Sequence, residues 1–168
     1  MEVYLVRHGP AATRDPARWP DDRRRPLTAA GAREAREAAR GFATLAEGVD
    51  RIATSPYERT RATAEILRAC LGGTGRPTAW EELSSGAPSP PILERLARRP
   101  SGAGAIVLVG HEPTLGEFLG CALTGEAVPI ARLTKSGAAS LSFPRRVAPG
   151  AGKLDWLLTR KQLIALAP

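Results

Sequence analysis

Val3-Tyr4-Leu5-Val6 runs without a break into Arg7-His8-Gly9. Four apolar residues in a row, aromatic and β-branched among them, form the pattern of a strand covered on both faces, as strands of a parallel sheet are. The same figure returns where Ala105-Ile106-Val107-Leu108-Val109, the clearest strand of the chain, meets Gly110-His111-Glu112-Pro113. The chain has two histidines, and each lies at the end of one of these apolar runs with a glycine beside it. One histidine in such a place is often just a hydrogen-bonded structural residue. Two of them, accompanied by Arg7 and Arg59, put chemistry at the end of a sheet.

Working outward, the Pro-, Asp- and Arg-rich stretch from Pro10 to Pro26 reads as a loop, and Thr28 as the N-cap of a helix running to about Ala46, with Gly48 as its stop. Arg51 to Thr54 forms a second candidate strand that turns at Ser55-Pro56. A helix follows from Tyr57 to Leu71, with Ala62, Ile66 and Ala69 on one face, ended by Gly72, Gly73 and Gly75. Pro77 to Trp80 is a third strand leading into Glu81-Glu82-Leu83, and Pro90 to Arg98 a helix started by its two prolines. After His111, Thr114 to Leu123 reads as helix, and Ala139 to Phe143 with Leu154 to Leu158 as a closing hairpin.

Strands and helices alternate over most of the length, the pattern of an α/β/α sandwich with a mostly parallel central sheet. With 168 residues, 43% of them hydrophobic, one domain spanning 1–168 is expected. Ligands of such sheets bind beyond the carboxyl ends of the strands, so Arg7-His8, Thr54-Ser55 and Gly110-His111 are expected to converge. The opening MEVYLV lacks the features of a signal peptide and no apolar run reaches membrane-spanning length, which predicts a cytoplasmic protein with no membrane partner. Cys70 and Cys121 sit among Ala and Leu and read as small core residues.

The net charge of +7 favours acidic partners. The arginines are scattered, without interleaved aromatics or a nucleic-acid-binding motif, so no specific nucleic acid is implied. No GxxxxGK[ST] loop, no GxGxxG after the first strand and no Ser nucleophile elbow occurs, and His and Cys are too few for a zinc site. No metal and no cofactor is expected.

Val6-Arg7-His8-Gly9, Leu27-Thr28-Ala29-Ala30-Gly31, Ser55-Pro56-Tyr57-Glu58-Arg59 and Gly110-His111 resemble, in this order, the RHG, LTxxG, SPxxR and second-histidine motifs of the histidine phosphatase superfamily, also called phosphoglycerate mutase-like. The short length and Arg25-Pro26-Leu27-Thr28 resemble in particular the SixA-type phosphohistidine phosphatases. The resemblance implies a phosphoglycerate mutase-like fold. The short stretches from Pro10 to Pro26 and from Glu82 to Ala105 leave little material for a large lid domain. A mutase must shield its intermediate from water, so an open site points to hydrolysis.

On this reading a neutral His8 attacks phosphorus in line with the leaving group, and the phosphoryl group passes through a phosphohistidine to water. Arg7, Arg59 and, if protonated, His111 hold the phosphoryl oxygens. The family's acidic residue corresponds to Glu82, expected to protonate the leaving group, although Glu81-Glu82 also has the look of a solvated turn. Thr28 and Ser55 orient phosphate or cap helices, capping being the expected duty of Thr28. The substrate expected first is phosphohistidine on a protein. The alternatives are small phosphoesters or sugar phosphates, and a non-catalytic phosphate- or nucleic-acid-binding module. The outer wall of the site is expected on the loop from Pro10 to Pro26, with Arg14, Arg18 and Arg23 to Arg25.

Overall fold

The structure is a computed structural model that describes residues 1–72, 75–100 and 102–168. Gly73, expected to help end the second helix, lies outside them. The strands are β1 (Glu2–Arg7), β2 (Val49–Thr54), β3 (Thr78–Ala79), β4 (Ala105–Gly110), β5 (Ala138–Ser142) and β6 (Lys153–Leu158). They form one sheet in the order β3-β2-β4-β1-β5-β6. From β3 to β1 every pair is parallel, while β5 runs antiparallel to β1 and β6 antiparallel to β5. The expected closing hairpin is therefore present and extends the sheet beyond β1.

The apolar runs are continuous because both sheet faces are covered. Val3 and Leu5 of β1, with Ile106 and Leu108 of β4, pack on one side against Leu93 and Leu96 of α3 (Pro90–Ala97) and Leu115, Phe118 and Leu119 of α4 (Thr114–Thr124). Tyr4 and Val6, with Val107 and Val109, face the opposite way. There they meet Ala38, Ala39 and Phe42 of α1 (Ala29–Ala43), Ala64 and Leu67 of α2 (Glu58–Leu71) and Leu163 of α5 (Arg160–Ala165). Successive side chains of a strand point to opposite faces, so the two strands divide their residues between two cores and the molecule has three layers, α/β/α. Between Leu83 and Ala105 the described residues form α3 and short turns, with no large lid.

Most element boundaries fall within one or two residues of expectation. The first helix ends at Ala43 rather than Ala46, and β3 keeps two of its four expected residues. A 3-10 turn at Asp22–Arg24 interrupts the expected loop. The omission is α5, which begins with a capping box between Thr159 and Gln162. That signal stood in the sequence, but six residues carry too little periodicity to mark a helix. Cys121 is buried and Cys70 half-buried, and neither is in a disulfide.

Candidate active site

Three neighbouring strands, β2, β4 and β1, end side by side. Each outer strand gains one more bond to β4 where its polar residues begin: His8 N–H donates to Gly110 O at 3.1 Å and Ser55 N–H to Val109 O at 3.0 Å. These bonds fix the height at which Arg7-His8, Ser55 and His111 leave the sheet. The imidazole centres of His8 and His111 are consequently 5.1 Å apart, and Arg59, in the first turn of α2, stands beside His111.

The two imidazoles are in defined tautomers. Nδ1 of His8 lies 2.7 Å from Gly9 O; a carbonyl only accepts, so Nδ1 carries the proton and Nε2 keeps its lone pair. His111 is wired in the opposite sense. Its Nδ1 lies 3.4 Å from Nη2 of Arg59, which can only donate, and its Nε2 lies 2.9 Å from Ser55 Oγ. Nδ1 is thus the acceptor, and Nε2–H donates to Ser55. Burial, reinforced by Arg59 and Arg7, lowers the pKa of His8 to about 3 despite the bond to Gly9. Burial, with His8 and Arg59 adding to it, lowers that of His111 to about 2. The protein alone therefore holds both imidazoles neutral at physiological pH. The cationic form foreseen for His111 requires an added negative charge.

Arg59 is 2% exposed and anchored by Asp22, which accepts Nη1 on its carbonyl at 2.8 Å and Nη2 on its carboxylate at 2.9 Å. Burial of the Asp22 carboxyl acts to raise its pKa, but Arg25, which donates Nε at 2.8 Å, and Arg59 outweigh it and hold the group below the usual range. Arg7 is half-buried, and its Nη1 donates to Leu133 O at 2.8 Å. Both arginines keep a buried Nε with no partner among the described residues. Buried donors are seldom left so, and two of them beside paired histidines are suited to an anion.

Several supporting residues were not foreseen. Thr63 Oγ1 accepts from Gly9 N–H at 3.1 Å and donates to Arg59 O at 2.7 Å, tying the nucleophile loop to α2. Ser136, with φ 57°, directs its N–H at both Arg7 O and His8 O, at 3.1 and 3.2 Å. A non-glycine residue in the left-handed region is uncommon, and nothing in Lys135-Ser136-Gly137 marks it. Tyr57 sets its ring 4.7 Å from that of His111, with Arg59 stacked over it at 4.7 Å. The preference for glycine at 31 is steric: a Cβ there would lie 1.9 Å from Pro10 O, because α1 starts against the loop that follows His8.

Ser55 is brought to His111, as above. Thr28 is not brought to the phosphate residues: its Oγ1 accepts Gly31 N–H at 2.9 Å and caps α1, the duty expected of it. Glu82 follows β3 as expected, in a 3-10 turn at Glu81–Leu83, but both its oxygens take Nη1 of Arg95, at 3.0 and 2.9 Å. Arg95 in turn stacks on Trp80 at 4.3 Å.

Residues 3–85 match the model of the histidine phosphatase superfamily (branch 1). The chain is 36% identical to an uncharacterized protein of Picosynechococcus sp. over 138 residues, 82% of each chain. The chain belongs to the histidine phosphatase superfamily, and membership implies phosphatase activity. Within it the chain is SixA-like. It is 28% identical over 165 residues to the phosphohistidine phosphatase SixA of Escherichia coli K12, covering 95% of this chain and 94% of that one. Its fold matches a structure of the protein histidine phosphatase SixA complexed with tungstate at a TM-score of 0.83, with 26% identity and coverage of 97% and 99%.

Proposed function

We propose that the protein hydrolyses phosphohistidine on a phosphorylated protein, through a phosphohistidine of its own on His8 and without a metal. The observation that carries this reading is the proton on Nδ1 of His8, fixed by Gly9 O at 2.7 Å, which leaves Nε2 as the nucleophilic atom. Burial favours the neutral imidazole, so the lone pair is available across the physiological range. In the first step Nε2 bonds to phosphorus while the bond from phosphorus to the leaving nitrogen breaks. In the second, water attacks the phosphorylated His8, phosphate departs and the imidazole is restored.

Arg7 and Arg59 supply permanent positive charge and forked donors to the equatorial oxygens, the duty a metal performs in other phosphoryl-transfer sites. The negative charge of the phosphoryl group offsets what keeps His111 neutral, so that Nδ1 takes a proton and donates to the same oxygens. Thr28 serves phosphate binding only through the helix it caps, and Ser55 through His111. Glu82 is the proton donor of this reading, and to act it must release Arg95. A phosphorylated imidazole departs readily, so the demand on Glu82 is smallest for phosphohistidine. A phosphoprotein also suits a site without a large lid.

The test is hydrolysis of a phosphohistidine-bearing protein beside an aryl phosphate, by wild type and His8→Ala, with a chelator present. Turnover of the phosphoprotein that survives chelation and disappears with His8→Ala is the expected result. Faster turnover of the aryl ester alone would move the assignment to small phosphoesters, and loss on chelation would overturn the metal-independent mechanism.

A further inference from the structure

Part of the charge on the loop expected to carry the basic outer wall is met by local partners. Arg25 pairs with Asp22, Arg23 faces Glu81 at 3.8 Å, and Arg18 stacks on Trp19 at 5.3 Å. A second group of cations lies on the other side of Arg7, where Glu112 acts on Arg7 and Arg132. There the chain approaching β5 and the chain leaving β6 enclose a groove of about 500 Å³, lined by Arg7, Arg132, Lys135, Arg160 and Lys161 with Thr and Leu between them. No acidic residue lines it among the described residues. Arg160 pairs with Glu34 outside it, and among the described residues Arg132, Lys135 and Lys161 form no ion pair.

Topology holds these cations at the catalytic end. Val6 pairs with Ala138, and Ala138 with Leu158, so residues 132–135 just before β5 and 159–161 just after β6 flank the end of β1. Thr134 Oγ1 accepts Arg160 N–H at 3.2 Å and fastens the two segments together. Leu133 O, which takes Arg7 at 2.8 Å, is part of the same wall. Around Lys135 the groups that act on it are cations: after burial, Arg7, Arg25, Arg160 and Arg59 all work against its charge. Such a field is relieved by an anion.

We infer that this groove binds acidic side chains of the phosphorylated protein that lie close to its phosphohistidine. The inference rests on the proposed function and names what selects its substrate. A polypeptide is the occupant the geometry favours, because Arg132, Lys135 and Lys161 are exposed. Single contacts in water are weak, whereas several carboxylates on one chain act together.

The experiment measures binding of labelled histidine peptides with acidic neighbours, and of the same peptides with Asn and Gln in their place, by fluorescence anisotropy at low salt. Lys135→Glu/Lys161→Glu is compared with Arg145→Glu/Arg146→Glu. The second pair makes the same charge change beyond the far end of β5, since Ser142 pairs with Glu2 at the start of β1. The expected result is a preference of wild type for the acidic peptide, reduced about tenfold by the first pair and less than threefold by the second. Equal losses in the two variants would reduce the groove to the overall charge, and no preference in wild type would overturn it outright. Hydrolysis of the phosphorylated peptides is followed in parallel. Preference without hydrolysis would sink the phosphohistidine substrate and retain an acidic-polypeptide site; hydrolysis without preference would sink the groove alone.

Discussion

His8 and His111 each stand one residue past a strand, on neighbouring parallel strands, yet they differ in which nitrogen holds the proton. The partner of His8 is the carbonyl of the next residue, so its tautomer is set within one turn of chain. The partner of His111 is Ser55, from the end of β2, so its tautomer depends on β2 lying beside β4. Two residues of one type at equivalent places thus receive different chemistry from what holds them. His8 presents a bare Nε2. His111 turns Nδ1 toward Arg59, where a proton gained with an incoming anion becomes a donor.

The strongest way to break this comparison is to remove each ring in turn. His8→Gln is expected to lower kcat by about 10⁴-fold or more, as loss of a nucleophile does, and to abolish the phosphoenzyme. His111→Gln loses one transition-state donor, about 10²- to 10³-fold, and still forms a phosphoenzyme on His8. Rapid-quench labelling followed by mass spectrometry tells the two apart. Phosphate on His111 in the His8→Gln variant would mean that the rings are interchangeable.

A smaller effect sharpens the asymmetry. Ser55→Ala removes the acceptor that holds Nε2–H of His111 and leaves that buried donor unpaired. About a tenfold drop in kcat is expected, with a change in the ¹⁵N shifts of the His111 ring and none for His8, whose partner is main chain. Movement of both sets of shifts would show that Ser55 holds the pocket as a whole and does not select the tautomer of His111.

What was legible in the sequence follows the same division. Continuous apolar runs stopped by polar residues revealed β1 and β4, and with them His8 and His111. The Ser55-Pro56 turn opening a helical pattern revealed Ser55 and Arg59. These are local signals, and α/β order brings their ends together. Asp22, Thr63 and Ser136 had none. Asp22 meets Arg59 because of how the loop after His8 folds over α2, and Ser136 touches His8 only because β5 joins β1 antiparallel. Glu82 follows β3 as its strand implied, but its partner Arg95 lies on α3, and no spacing rule connects the two. Arg132, Lys135 and Lys161 had no such signal either, because they come from two segments that only the hairpin brings together.

The smallest effect concerns stability and asks whether both histidines are held neutral. Their pKa values, about 3 for His8 and about 2 for His111, lie below the roughly 6.5 of an unfolded chain. As the pH falls below about 6.5 the unfolded chain takes up two protons that the folded chain refuses, so stability is complete above that pH and declines as the pH drops toward the folded values. Each histidine contributes a slope of up to about 1.4 kcal/mol per pH unit. Asp22, whose folded pKa is also lowered, loses its contribution in the carboxylate range, at lower pH. Glu112, whose pKa burial raises, acts in the opposite sense on the high side of the carboxylate range, so between pH 6 and 5 the histidines are read from the difference between wild type and variant. Denaturant midpoints across that interval should show His8→Gln and His111→Gln each lowering the slope by up to about 1.4 kcal/mol per pH unit. If His111→Gln left the slope unchanged, His111 would be protonated in the folded protein without any phosphoryl group, and the arginines beside it would have to be arranged otherwise than this pocket has them.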